Sequence, residues 1–470
     1  MENSPLKISE MSRHNARHSF VTMQRGRITV SRLAIFGLCL ALSGSSTRAS
    51  VAKRVSGNLV YWDQSRGFDD IVANADVFSE ISPFWYRIES SGQVVPYTTA
   101  SGASYVDPAI LSFLRTHGIL VIPTVANIVD GSWNGAVVSR IIADPLLTKV
   151  NIDGLVNLAV GQSYDGIDLD YENLGATDRT AFTAFVQQLA AALHARGKLL
   201  TVNVYAKTAE PGTWDGPQAQ DWWALGQVAD QVRIMTYEYS WSTSAAGPIA
   251  PVNWVTDVMA FARSVVPAAK IMQGLPFYGY DWVGQLGTSL VWNEATALAN
   301  QYGVSIAWDS TSASPWFEYL SGSTRHTVWF ENASSVNAKL YVANAYDVGG
   351  VTLWRLGGED PANWSALRAQ FGGTAPPPDI TPPTVTITSP ADGSVLAKKQ
   401  KLEAQASDDV RVSRVEFYAN GVLLATDAAA PFVVYWNTQQ ASRGVNIIKA
   451  VAYDPSGNSA SAQVTAYTRR

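Results

Sequence analysis

From about Gly57 to Phe371 short apolar runs alternate with segments of helical periodicity. Leu59-Val60-Tyr61-Trp62 reads as a first strand, followed by a helix through Ile71 to Phe78 and a strand around Phe84-Trp85-Tyr86. Ile119-Leu120-Val121-Ile122-Pro123 predicts a third strand, and a helical stretch containing Ile152–Val160 leads into a fourth over Asp165–Glu172. Within Asp178–His194 the apolar residues Phe182, Phe185, Leu189 and Leu193 recur at helical spacing. Leu199–Val204, Val232–Tyr237 and Ile271–Phe277 predict three more strands, the last two separated by a helix over Val252–Val265. Val351-Thr352-Leu353-Trp354 supplies an eighth. Eight such units predict an α/β fold, a (β/α)8 TIM barrel over 57–371. An open doubly wound sheet is the alternative, but no Gly-rich phosphate loop follows the first strand.

An insertion is expected between the seventh and eighth strands, at about 284–326, with Trp308, Trp316, Phe317 and Tyr319 mostly forming a small core of its own. After the barrel, the Pro-rich run of 372–383 predicts a stiff extended linker. The pattern then changes over 384–470. Val415–Ala419 and Val422–Ala425 flank Asn420-Gly421, a strong hairpin signal, and Asp454-Pro455-Ser456-Gly457 marks another turn. An all-β sandwich is expected there.

The fourth predicted strand carries the chemistry. Side chains of a strand alternate between faces, so Asp168, Asp170 and Glu172 share one face while Ile167, Leu169 and Tyr171 share the other. Stacked carboxylates repel one another and resist desolvation, which a merely structural strand would avoid. The arrangement suits an acid at the strand end, Glu172, kept protonated by its anionic neighbours and able to act as a general acid. A calcium loop of the helix–loop–helix type would need Gly at its sixth position, where this chain has Asn173. A solvated acidic edge strand is opposed by the apolar reverse face.

Composition narrows the partners. Charged residues are 16% of the chain, against roughly 25% in typical globular proteins. Sixteen Trp and nineteen Tyr suit sugar stacking, although many must be core. Arg25, Arg27 and Arg32 precede the apolar run Leu33–Leu42, and Thr47-Arg48-Ala49 follows it, so residues 1–49 read as an export signal. The run is too short for a bilayer, which needs roughly 20 apolar residues. No membrane span is therefore expected in the mature protein, which would be secreted or periplasmic. Without the seven basic and two acidic residues of that stretch, 27 basic and 37 acidic residues remain, and the net charge moves from −5 to −10. An acidic chain without basic clusters points to no nucleic acid partner. Cys39 is the only cysteine, and His117, His194 and His326 are too far apart for a zinc signature, so neither metal nor cofactor is expected. A monomer is expected.

The octet Asp165–Glu172 resembles the DGxDxDxE signature of family 18 glycoside hydrolases, which include chitinases. Met235-Thr236-Tyr237-Glu238, Leu275-Pro276-Phe277-Tyr278-Gly279 and Trp354-Arg355-Leu356-Gly357 resemble segments on that family's sixth, seventh and eighth strands. The resemblance implies a secreted, retaining glycosidase that cleaves β-1,4 bonds in N-acetylglucosamine polymers, chitin or peptidoglycan, by substrate-assisted catalysis. It implies that Glu172 protonates the leaving oxygen and that Asp170 orients the substrate acetamido group. Asp168 would share a proton or hydrogen bond with Asp170, and Tyr237 would hold the attacking carbonyl. Trp354 would floor the sugar pocket, with Met235, Glu238 and Tyr280 in contact with substrate. Strict alternation turns Glu238 away from that pocket unless the chain breaks register at the strand's end. Two features depart from the chitinase pattern: Pro123–Asn127 replaces S-x-G-G, and Glu238 stands where Asp is usual. Together with Tyr280-Asp281-Trp282 and Leu356–Asp360, they look more like the branch of spore-cortex-lytic N-acetylglucosaminidases. The sandwich resembles immunoglobulin-like modules of secreted bacterial carbohydrate enzymes, with a spacer role favoured over polymer binding. The competing reading is a non-catalytic carbohydrate-binding or cell-surface protein.

Overall fold

The computed structural model describes residues 53–372, 381–408, 412–428, 430–441, 443–454 and 457–468. The expected export signal lies outside them, as do most of the linker and the centre of the Asp454–Gly457 turn. Eight parallel strands close into a ring. They are Arg54–Val60; Glu80–Phe84 continued by Tyr86–Ile88; Leu120–Val121 continued by Thr124–Ala126; Gly166–Asp170; Leu199–Tyr205; Gln231–Met235; Ile271–Pro276; and Gly350–Trp354. Each pairs with the next, and the eighth pairs back onto the first. Helices cover the outside, among them Gln64–Ala73, Pro108–Thr116, Pro145–Gly161, Arg179–His194, Val252–Val265, Ala333–Ala345 and Ala362–Phe371. The chain therefore folds as a TIM barrel followed by an all-β sandwich.

Strands covered on both faces must be buried throughout, and both Gly166–Asp170 and Ile271–Pro276 are. Outward side chains such as Ile167, Leu169, Val202 and Val232 join the helices in one large core. The inner face is different: Glu80, Ser82, Asp168, Thr201, Gln231 and Arg233 are buried there. Polar groups persist in a dry interior only when they satisfy one another, and these do. Arg233 donates to Glu80 (2.8 Å), Ser82 (2.6 Å) and Gln231 (3.1 Å), and Gln231 donates to Glu80 (2.8 Å).

Several boundaries differ from expectation. Tyr61 and Trp62 leave the first strand as a short 3-10 turn, Tyr61–Asp63, and the following helix is Gln64–Ala73 rather than one running to Phe78. Val77 and Phe78 are buried all the same, from the turn that feeds the second strand. The insertion is longer than 284–326. Its five-stranded antiparallel sheet begins with Gly279–Val283 and ends with Thr324–Trp329, because Tyr280-Asp281-Trp282 pairs with Thr327–Trp329 instead of prolonging the barrel. Phe317 and Tyr319 join its core, whereas Trp308 is exposed and Trp316 stacks on Trp329 at 5.5 Å.

The C-terminal strands form a three-stranded sheet (Thr384–Ser389, Lys399–Ser407, Phe432–Asn437) and a four-stranded one (Arg414–Ala419, Val422–Asp427, Gly444–Tyr453, Ser459–Thr468). Val415, Phe417 and Ala419 alternate into their shared core, as a one-sided sheet requires. Asn420 (φ 50°) and Gly421 (φ 81°) make the two-residue turn between the Arg414–Ala419 and Val422–Asp427 strands, with the positive φ at both positions that a type I′ turn demands.

Candidate active site

The fourth strand positions two of its acids in successive layers of the barrel interior. Asp168 lies level with Thr124 on the third strand and Thr201 on the fifth, and Asp170 lies level with Ala126. Because of that register, Asp168 is surrounded by donors. Its Oδ2 accepts from Thr124 (2.8 Å) and Asn203 (3.0 Å), and its Oδ1 from Thr201 (2.5 Å), with Arg233 Nη1 at 3.1 Å. The expected proton or hydrogen bond shared between Asp168 and Asp170 is absent. Both Asp168 oxygens are occupied by other strands, so nothing is left for Asp170 to pair with.

Asp170 is the opposite case. It accepts no hydrogen bond, and its Oδ1 is fully buried. Burial raises its pKa well above the usual carboxylate range, and the charges of Glu172 and Asp168 add to the shift against the pull of Arg233. Glu172 follows just beyond the strand, half-buried. Buried Asn127 clamps its backbone twice: Nδ2 donates to the Glu172 carbonyl and Oδ1 accepts from its N–H, both at 2.8 Å. The Tyr205 hydroxyl donates to Glu172 Oε2 at 2.6 Å, while Oε1 has no partner among the described residues. The Glu172 pKa is pushed up to about 7. Burial is the largest cause, the Tyr205 hydrogen bond opposes it, and the charge of Glu238 adds to it. Desolvation, more than repulsion by the aspartates beneath, therefore keeps this acid protonated.

The sixth strand delivers the second group of candidates. Met235 ends it, half-buried and level with Tyr205. The chain then breaks register: Glu238 takes φ 60°, which turns its carboxyl towards the site instead of away from it. The hydroxyls of Tyr278 and Tyr280 both donate to Glu238 Oε1, the latter at 2.9 Å. Burial raises the Glu238 pKa to about 7 against those two bonds. Tyr280 is itself buried, so its hydroxyl holds Glu238 in place. Tyr237 is half-buried, its ring 6.3 Å from that of Tyr278, and its hydroxyl makes no hydrogen bond among the described residues. Its ring passes so close to Gly274 that a Cβ there would lie 2.8 Å from Tyr237 Cε1. Burial and the nearby Asp170, Glu172 and Glu238 charges hold the Tyr237 phenol in its neutral form.

Trp354 ends the eighth strand, half-buried, with a cis peptide bond to Arg355. It joins two aromatic groups. One contains Phe84 and Tyr97, flanked by Tyr61, Trp62 and Trp133; the other contains Tyr278, Tyr280 and Trp282. Its edge meets Phe84 at 5.8 Å. Apolar ring faces beside a few directed polar groups suit a pyranose ring, which is itself amphipathic.

Sequence reasoning missed Tyr205, Asn203 and Arg233. The signal was present. Thr201, Asn203 and Tyr205 alternate along one strand, as do Gln231 and Arg233, and polar residues at every second position of an otherwise apolar strand mark its inward face. Among the described residues no cluster of metal-binding side chains occurs, and no helix is long and apolar enough to cross a membrane.

Comparison with known proteins agrees with this fold. The profile of a bacterial Ig domain matches residues 383–450. The uncharacterized glycosylase YvbX of Bacillus subtilis is 32% identical over 240 residues, half of this chain and 70% of YvbX. A chitinase structure from Chromobacterium violaceum superposes with a TM-score of 0.63 at 32% identity, covering 69% of this chain and all of that one. The spore cortex-lytic enzyme SleL of Bacillus megaterium gives 0.61 at 26% identity, covering 69% of this chain and 75% of that one. The profile of glycosyl hydrolases family 18 spans 129–359, from just past the third barrel strand, through the acidic strand, to the loop beyond Trp354, and the chain belongs to that family of glycosidases.

Proposed function

We propose that this chain is an exported, monomeric, retaining glycosidase that hydrolyses β-1,4 bonds in an N-acetylglucosamine polymer, chitin or peptidoglycan, by substrate-assisted catalysis. The observation that carries this reading is the Glu172 carboxyl, protonated up to about pH 7, with a free Oε1 beside the unpartnered Asp170 and Tyr237. Glu172 donates its proton to the glycosidic oxygen as the anomeric C–O bond breaks. The substrate's own acetamido oxygen forms the new bond to that carbon, giving an oxazolinium ion. Asp170 accepts a hydrogen bond from the acetamido N–H, which gives its orphaned oxygens a partner, and the Tyr237 hydroxyl holds the attacking carbonyl in place. Glu172, now a carboxylate, takes a proton from water, which opens the ring on the face the leaving group left. Trp354 floors the sugar, and Met235, Glu238 and Tyr280 line or support the same pocket.

The names of similar proteins, a chitinase and a spore cortex-lytic enzyme, support this substrate class. The test is hydrolysis of chitin oligosaccharides and of peptidoglycan, alongside the corresponding deacetylated oligosaccharide. Cleavage that needs the acetamido group and yields a β-configured first product supports the proposal. Equal cleavage of the deacetylated chain removes the substrate-assisted step. Binding without turnover favours a non-catalytic carbohydrate-binding protein.

A further inference from the structure

Tyr205 stands at the end of the inward-facing series Thr201, Asn203, Tyr205, and it alone of the three reaches Glu172 rather than Asp168. Its hydroxyl oxygen lies 2.6 Å from Glu172 Oε2 and 3.0 Å from Asn173 Oδ1, and it accepts from the Asn173 N–H at 3.3 Å. A phenol has one hydrogen and here two acceptors, so the hydroxyl can satisfy only one at a time. Its surroundings do not let it drift. Trp214 packs edge-on against its ring at 4.6 Å, and its N–H donates to Gln220 at 2.8 Å. Asn173 is equally fixed: it takes φ 59°, and its carbonyl sits so tightly on Gly135 that a Cβ there would lie 1.7 Å away.

We propose that Tyr205 is a positioning residue that works as a two-way hydrogen-bond switch between Glu172 and Asn173. When Glu172 is protonated, its proton sits on the free Oε1, Oε2 is a neutral carbonyl oxygen and a weak acceptor, and the phenol hydrogen turns to Asn173 Oδ1. When Glu172 has given its proton away, the phenol hydrogen turns back and stabilises the new carboxylate. No bond to carbon changes and no proton is transferred through the phenol; only the acceptor of the phenol hydrogen changes. The donor thus strengthens as negative charge develops, which is the differential stabilisation that catalysis requires. The other ionisable groups around Glu172 are Asp170 on the same strand with Asp168 and Arg233 beneath it, Tyr237 and Glu238 after the sixth strand. None of them offers Oε2 a donor.

The inference rests on Glu172 being the acid, and its test separates the two claims. The Glu172 carboxyl is followed by 13C NMR titration, assigned by its loss in Glu172→Gln. Tyr205→Phe removes the donor to the carboxylate and should raise the Glu172 midpoint by about one unit. Turnover should fall about 10- to 100-fold, as for loss of a hydrogen bond to a charged group. Asn173→Gly tolerates the positive φ but removes the acceptor used only in the protonated state, so it should lower the midpoint. Opposite shifts support the switch, whereas a packing role moves neither. An unmoved midpoint, or shifts of the same sign, would overturn it. Should circular dichroism show Tyr205→Phe unfolded, Asn173→Gly decides alone: a lowered midpoint supports the switch and an unmoved or raised one overturns it. Hydrolysis retained by Glu172→Gln would instead end the reading of Glu172 as the acid.

Discussion

Asp168 and Glu172 lie on the same face of one short stretch of chain, yet the barrel surrounds them in opposite ways. Asp168 receives donors from three neighbouring strands, including the guanidinium of Arg233. Glu172 has a single side-chain donor, Tyr205, and an otherwise desolvated setting that pushes its pKa to about 7. Asp170, between them, has no donor at all. The gradient follows from depth. Near the barrel's middle every strand contributes side chains at the same level, whereas at the mouth strands end and donors run out. One motif of three acids thereby acquires an ion-paired base and a proton-holding tip, and that polarity directs the proton towards the opening where a saccharide would sit.

The comparison can be broken first at the tip. Glu172→Gln removes the transferable proton but keeps the Tyr205 contact, and hydrolysis of an N-acetylglucosamine oligosaccharide should fall by about 10²–10⁴-fold. Near-parental turnover would mean that the tip does no acid work. At the base, Arg233→Met leaves Glu80 and Asp168 uncompensated in the barrel core. Breaking a buried pair in this way costs about 3–5 kcal/mol, to be read from denaturant unfolding, and a loss below 1 kcal/mol would show the base to be more open to water than described.

Smaller changes sharpen the contrast. The charge of Glu238 adds to the shift on Glu172, so Glu238→Gln should move the alkaline limb of kcat/KM to lower pH by less than one unit. The smallest effect concerns stability. Glu172 and Glu238 both titrate near 7 when folded, above their ordinary value of 4.5. A carboxyl raised in the folded state binds its proton more tightly there, so stability falls as pH rises between these two values. Tm should therefore decline from pH 5 to 8 in the parent and decline less in Glu238→Gln. An identical slope would place the titration elsewhere.

Much of this was legible in the residue order. The alternation of short apolar runs and helical periodicity led to a barrel, and period-2 spacing put Asp168, Asp170 and Glu172 on one face. Asn420-Gly421 marked its hairpin. What stayed hidden depends on groups remote in sequence but level in the ring. Glu80 and Arg233, 153 positions apart, meet only because the second and sixth strands face each other across the interior. The occupation of both Asp168 oxygens by other strands, which displaced the expected link to Asp170, could not be inferred from the octet alone. The inward turn of Glu238 depends on one positive φ, which no periodicity announces. The insertion ran past its expected ends because Tyr280 and Trp329 look like barrel continuation until paired with each other.

The pH dependence of kcat/KM for the parent enzyme tests the central claim most directly, since it reports the acid of the free protein. The account predicts activity that falls on the alkaline side with a midpoint near 7, the value to which burial lifts Glu172. Activity that instead declines above about pH 4.5, the ordinary carboxyl range, would contradict it.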